Sequence, residues 1–223
     1  MTTKLPILYS FRRCPYAMRT RMALLVSGQK CIVREVLLRD KPGDMVSVSP
    51  KATVPVLQLP DGQIIDESLA IMRWSLAKND PEGWLEAGRE AGRDADTMIA
   101  ANDGPFKHHL DRYKYSVRYD SDPVEHRNSA MQILADLDLR LGMQGNLCGQ
   151  KRSFADIALF PFIRQFAATD KLWFDAQPVA HLQAWLAQHM QSRLFTIAMV
   201  RLAQWQPGDP DIGLPDYRGE TDA

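Results

Sequence analysis

The sequence carries no excess of charge of either sign: 27 Lys plus Arg stand against 27 Asp plus Glu over 223 residues. Without a net field, general attraction to nucleic acid, to an anionic membrane or to a strongly charged partner is not expected, and any preference must be local. Long apolar runs are also missing. No stretch approaches the ~20 residues of a membrane span, and Met1–Pro6 lacks the basic-then-apolar pattern of a secretory leader, so a cytoplasmic protein is expected. Cysteine is scarce. Cys14, Cys31 and Cys148 are an odd number, widely spaced, with no second Cys at disulfide or metal spacing. Reduced thiols are the expectation, and an accessible one is a candidate reagent. Internal repeats and low-complexity segments are missing as well.

What is present is 45% hydrophobic residues, enough for real cores. The first eighty residues alternate element types. Pro6-Ile7-Leu8-Tyr9 reads as a strand, Pro15 to Ser27 as a helix closed by Gly28, and Cys31 to Leu38 as a second strand. Val54 to Leu59 follows as a third strand, Pro60-Asp61-Gly62 as a turn, and Gln63-Ile64-Ile65 as a returning fourth strand. A helix is expected from about Asp66 to Lys78. This is the order of a thioredoxin-like domain, βαβαββα, over residues 1–79. Asn79-Asp80-Pro81-Glu82-Gly83 breaks the pattern, which places a linker at 80–86. Beyond it strand signals vanish, and an all-helical domain is expected over 87–206. Glu86 to Tyr115 reads as helical with a bend or break at Asn102-Asp103-Gly104-Pro105. Asp122-Pro123 opens a helix bearing Met131, Leu134, Leu137 and Leu141. Ser153-Phe154-Ala155-Asp156 has the form of a capping box with Asp in the third place. Pro178 opens another helix, Arg193 to Trp205 forms the last, and residues 207–223 make an extended tail.

The chemistry concentrates at Phe11-Arg12-Arg13-Cys14-Pro15-Tyr16-Ala17. A thiol there follows the first strand and faces the N-terminus of the first helix, with Arg12, Arg13 and Arg19 close in sequence. Both influences favour a thiolate and so a nucleophile near neutral pH. The plainer alternative, a small buried hydrophobe, is outweighed by the combination. Ala17 occupies the place where a dithiol oxidoreductase carries its second cysteine, so a mixed disulfide at Cys14 needs an external thiol for its release. Pro55 is either an ordinary proline at the start of a strand or the second residue of a cis Val54-Pro55 bond that presents backbone groups to a peptide-like ligand. Asp66-Glu67-Ser68 either caps its helix or offers the helix N-terminus to a carboxylate. Phe106, His109 and Tyr113 share a helical face. Adjacent His108 and His109 should diverge on a helix and make a poor metal pair, so no metal is expected.

The segments "CPYAMRTRMAL", "KATVPVL" and "IIDESLAIMRW" resemble the N-terminal domain of the glutathione S-transferases, and are most similar to its cysteine-type, omega-like branch. The Ser153–Asp156 box resembles the C-terminal domain signature of that family. The resemblance implies a thiol transferase or reductase, with dehydroascorbate-type reduction among its reactions, in which Cys14 forms a mixed disulfide with glutathione. It implies that Val54, with Pro55, pairs its backbone with the cysteinyl moiety, that Glu67 and Ser68 hold the γ-glutamyl end, and that Lys41 lies near the glycyl end. It also implies a homodimer, and a second-substrate pocket bordered by Phe106, His109 and Tyr113. Cys148, where the family more often has a bulky apolar residue, reads as structural. Two alternatives stay open: conjugation of glutathione with Tyr9 or Ser10 as the activating hydroxyl, and a non-catalytic interaction protein.

Overall fold

The computed structural model describes residues 4–90 and 92–217. By its internal contacts the chain divides into two units, one of residues 4–82 together with 192–217, the other of residues 83–191.

The first unit is built on a four-stranded sheet of order β2-β1-β3-β4, formed by β1 (Ile7–Ser10), β2 (Ile32–Glu35), β3 (Val56–Gln58) and β4 (Ile64–Ile65). β1 and β2 are parallel, as the helical crossover α1 (Pro15–Val26) requires, while β3 runs antiparallel to β1 and to β4. Side chains alternate across the pleat. Leu8, Val33 and Leu57 enter one apolar cluster with Leu24 of α1 and Ile71 of α3 (Ser68–Lys78). Tyr9 and Val56 enter the other, with Met45 of the short α2 (Gly43–Val48) and Trp205. Pro15 occupies the first turn of α1, where its missing N–H is no loss. Gly28, at φ +65, takes the left-handed turn that ends it.

The last helix and the segment after it belong to this unit, rather than to the helical domain and a tail of its own. The backbone of residues 205–214 lies along β2: Trp205 N–H donates to Glu35 O at 2.8 Å, Val33 N–H to Ile212 O at 2.7 Å, and Leu214 N–H to Cys31 O at 2.8 Å. The Trp205 ring meets Tyr9 edge-on at 6.3 Å and lies under the Arg34 guanidinium at 3.9 Å. The segment therefore covers a sheet edge that would otherwise present unpaired backbone groups.

The second unit is helical: α4 (Trp84–Glu90), α5 (Arg93–Ala101), α6 (Lys107–Lys114), α7 (Ser116–Tyr119), α8 (Pro123–Gln144), α9 (Phe154–Ala167), α10 (Lys171–Asp175) and α11 (Ala180–Gln191). The remaining helix, α12 (Arg193–Ala198), lies in the first unit. The bend or break expected at Asn102–Pro105 takes the form of a π-helical turn, Asn102–Phe106, between α5 and α6. Widening the helix by one residue accommodates a proline that lacks an N–H and would otherwise crowd the carbonyl four residues back. Asp122 caps α8 by accepting from Val124 N–H and Glu125 N–H. Ser153 and Asp156 form the expected box at the start of α9, and Asp156 also accepts from Leu147 N–H and Trp185 Nε1–H, both at 2.9 Å. Among the described residues no helix is long and apolar enough to cross a membrane.

Two outcomes check this packing. Trp205→Ala removes a ring wedged between Tyr9 and Arg34, and should cost about 3 kcal/mol in urea denaturation; a loss within ~0.5 kcal/mol would mean that the segment is not docked. His189 lies between Phe160, at 5.0 Å, and Trp185, at 4.6 Å, and burial pushes its pKa from 6.5 down to about 3. Between those values the unfolded chain binds the extra proton, so stability is full above pH 6.5 and falls as the pH drops from 6.5 toward 3. The slope from this group is at most about 1.4 kcal/mol per pH unit. His189→Leu should flatten that part of the curve, and curves that stay parallel to the wild type would refute the assignment.

Candidate active site

The topology brings three segments to one end of the sheet. β1 ends at Ser10 and leads to the N-terminus of α1; β3 runs antiparallel to β1, so its beginning, after Val54-Pro55, lies at the same end. β4 is antiparallel to β3, so the chain leaves β4 toward that end and opens α3 there. Cys14, Val54 and Glu67-Ser68 are thus neighbours through strand direction alone.

Cys14 is the N-cap residue of α1, half-buried, with Sγ 3.7 Å from Val54 O. The Val54–Pro55 bond is cis. Glu67 is the N-cap of α3 and exposed, while Ser68 is its first residue and buried. Ser68 Oγ accepts from Arg19 Nε at 3.1 Å and Nη2 at 2.9 Å, and the Arg19 guanidinium lies over the Tyr16 ring at 5.0 Å. Lys51 donates to Glu67 Oε1 at 2.7 Å and lies 3.4 Å from Asp66 Oδ2. These carboxylates raise the Lys51 pKa, the bond to Glu67 first. Lys41 is exposed in the segment before α2.

A fourth arginine, Arg21, joins the three that the sequence places near Cys14. Arg13 stacks on Phe11 at 5.3 Å, Arg12 contributes its backbone N–H to Glu35 Oε1 at 2.7 Å, and Arg19 serves Ser68. The residue that grips the Cys14 loop is Arg21. Its guanidinium is buried and donates from Nε to Ala198 O at 2.8 Å, from Nη1 to Ser10 Oγ at 2.6 Å, and from Nη2 to Arg12 O at 2.8 Å. Burial pulls its pKa down to about 10, against the opposing charges of Glu35 and Cys14. Sequence reasoning missed it, although an arginine between Thr20 and Met22 in a helix apolar on several sides is a signal of a buried, fully bonded cation.

Both alternative hydroxyls are buried and accept from arginines. Tyr9 is buried, its Oη accepts from Arg34 Nη1 at 2.8 Å, and burial raises its pKa. Ser10 Oγ is the acceptor for Arg21. Of the other thiols, burial pushes Cys31 up to about 12 and raises Cys148.

In the helical unit, Phe106 and Tyr113 pack on Phe166, at 5.7 and 5.2 Å, and Phe106 also lines an apolar cavity of about 190 Å³ with Met98, Ile133, Leu159 and Ile163. His109 turns elsewhere, its Nδ1 2.8 Å from Nδ1 of His126. His108 and His109, expected to diverge, have ring centroids 5.1 Å apart, because both reach toward His126. Burial and neighbouring positive groups hold His108 and His109 below the usual histidine range.

The family model for the glutathione S-transferase N-terminal domain matches residues 8–84, and that for the C-terminal domain of the same family matches residues 83–188. Among curated relatives, the glutathione S-transferase omega-1 of Sus scrofa is 40% identical over 60 residues, 27% of this chain and 25% of that protein. The match thus spans about a quarter of the relative's length. Among solved structures, a glutathione S-transferase-I bound with lactoylglutathione aligns at TM-score 0.72 and 21% identity, over 87% of this chain and 98% of the other. A glutathione transferase from Pseudomonas putida, with one glutathione disulfide bound per subunit, aligns at 0.70 and 20%, over 88% and 91%. At such identities the structures speak for the fold alone, and it is the two domain models, end to end over the same thioredoxin-like and helical units, that place the chain in the glutathione S-transferase family.

Proposed function

We propose that the protein is a glutathione-dependent thiol transferase or reductase that works through a mixed disulfide at Cys14. The observation that carries this reading is the setting of Cys14 at the N-cap of α1, half-buried, with Sγ 3.7 Å from Val54 O, while Tyr9 and Ser10 are fully buried. A thiolate there gains from the helix dipole and from Arg21. A hydroxyl that activates a bound thiol must be available to donate to it, and a buried Tyr9 with a raised pKa is a poor candidate.

In the proposed cycle the Cys14 thiolate attacks the glutathione sulfur of a mixed disulfide. One S–S bond forms, the other breaks, and the second thiol leaves as thiolate. Free glutathione, as thiolate, then attacks the Cys14 adduct, releasing glutathione disulfide and restoring Cys14. Each step exchanges one disulfide for another, so no external oxidant or reductant besides glutathione is needed. The P. putida relative, which holds glutathione disulfide, is consistent with a site that accommodates that product.

The γ-glutamyl end of glutathione carries a carboxylate and an ammonium group. Ser68, whose oxygen accepts from Arg19, has its hydroxyl proton to give to the carboxylate, next to the backbone N–H groups of α3. Glu67 would take the ammonium in exchange for Lys51. The Val54 backbone would pair with the cysteinyl residue, and Lys41 would serve the glycyl carboxylate.

Glu67→Ala and Ser68→Ala should each weaken glutathione binding about tenfold or more, the range for a hydrogen bond to a charged group, with little change in the saturated rate. Unchanged affinity in both would remove them from the site. Incubation with glutathione disulfide should add one glutathionyl group to the wild type, at Cys14, and none there in Cys14→Ser, while disulfide reduction collapses in the variant. Conjugation to an electrophile can survive this change, because the serine can still hydrogen-bond to a bound thiolate. A Cys14→Ser protein that reduces mixed disulfides at the wild-type rate would sink the mechanism, and one indistinguishable from the wild type in conjugation, with no thiol transfer in either, would favour the hydroxyl mechanism.

A further inference from the structure

Three of the five histidines in the chain meet at one point in the helical unit. His108 and His109 are the second and third residues of α6, and His126 is the fourth residue of α8. The ring centroids form a nearly even triangle, with sides of 5.1 Å (His108–His109), 5.1 Å (His109–His126) and 5.7 Å (His108–His126). One nitrogen from each ring lies within 4.8 Å of the other two. His108 is exposed and the other two are half-buried, so the cluster is reachable from solvent.

The pair His109–His126, with Nδ1 atoms 2.8 Å apart, has an ordinary account as one N–H···N hydrogen bond. That account leaves out His108, whose ring sits against both. A single metal ion would engage all three. At metal–nitrogen bonds of about 2.0–2.1 Å, neighbouring nitrogens of a tetrahedral site lie about 3.3–3.4 Å apart, so the His109–His126 pair, at 2.8 Å, needs to open by only about half an ångström. The third nitrogen must approach by an ångström or so. His108 is exposed and its ring can turn, at the expense of its contact with Arg112 Nη1, 3.0 Å from His108 Nδ1. Arg112 has an alternative in the Tyr119 ring, over which its guanidinium already lies at 4.8 Å. The charged groups that bear on the cluster are of both signs: Arg112 opposes a cation, while Asp111 and Glu125 favour one.

We propose that His108, His109 and His126 bind one divalent late transition-metal ion, zinc(II) foremost, with solvent as the fourth ligand, and so tie α6 to α8. Imidazole nitrogen suits zinc, nickel and copper, whereas calcium and magnesium demand oxygen donors that these three residues do not supply. Three protein nitrogens and a solvent position make a tetrahedral site with one open place. The ion would fasten the two helices on either side of α7, and metal binding would appear as added stability.

The test uses untagged full-length protein stripped with a chelator and carrying Cys14→Ser, so that the accessible thiol does not itself take the metal. Calorimetric titration with zinc(II) should give one equivalent at low micromolar affinity or tighter, a rise in Tm on zinc addition, and an affinity lower by about tenfold or more in His109→Gln and His126→Gln. Cobalt(II) should give the visible bands of a four-coordinate site without sulfur-to-metal charge transfer. Because a variant can lose metal by losing its fold, the ring nitrogen resonances of the unsubstituted histidines provide a second reading. Zinc should shift those of His108, His109 and His126 and leave His181 and His189 in place. Absence of binding at tens of micromolar zinc, undiminished binding in both variants, or shifts confined to other histidines would each overturn the proposal.

Discussion

The Cys14 end of the first unit hangs on a buried guanidinium. Arg21 projects from the second turn of α1 and its donors converge on the loop that α1 itself follows, Ser10 Oγ, Phe11 O and Arg12 O, and on Ala198 O at the end of α12. The loop between β1 and α1 is short and carries Cys14, so holding its carbonyls fixes where the thiol stands relative to the helix terminus. A planar donor fork is suited to this in a way a lysine is not, since it can bond several acceptors in one plane at once. Burial of the charge is offset by the Glu35 carboxylate, which in turn accepts the Arg12 N–H. The same cation therefore holds the end of the first strand, the loop and the last helix in one arrangement, with Glu35 of the second strand as a counter-charge.

That dependence explains what was legible in the sequence and what was not. The first strand, α1, its proline and Gly28, the turn at Pro60-Asp61-Gly62, the cap at Asp122 and the box at Ser153 all announce themselves through local chemistry, and each appears within a few residues of its expected place. Cys14 is legible for the same reason, because a helix N-terminus is a local signal. The choice of arginine is not. Arg12, Arg13 and Arg19 are close to Cys14 in sequence, yet Arg21 is the one whose bonds run 9 to 177 residues away. The placement of residues 205–214 along β2 escapes for a related cause: a segment with Gly and Pro reads as unstructured, and its order comes from backbone hydrogen bonds to a strand far away in the chain. Lys51, which joins Asp66 and Glu67, was hidden in the same way.

The histidines illustrate a different limit. Successive residues on a helix leave its axis about 100° apart, and by that rule His108 and His109 diverge. The rule concerns Cβ directions. An imidazole extends several bonds further, and His126 on α8 gives both rings a common neighbour to fold toward. Pattern reasoning works on one helix at a time, so a constellation assembled from two helices is invisible to it until their packing is known.

Ala17 bears on the proposed chemistry from the opposite side. It lies one turn beyond Cys14, is fully buried, and packs in the cluster of Tyr9, Val36 and Val54. The position that would hold a resolving thiol is therefore committed to the core. Cys31 and Cys148, both pushed up by burial, are poor nucleophiles at neutral pH. A mixed disulfide formed at Cys14 then has no intramolecular route to discharge and must wait for a second thiol from solution. That thiol is itself a substrate, which would tie the turnover of such a site to the concentration of free glutathione; in the proposed cycle the adduct's glutathione fills the grip at Glu67 and Ser68 while the second one attacks, so the attacking molecule must be received outside that grip.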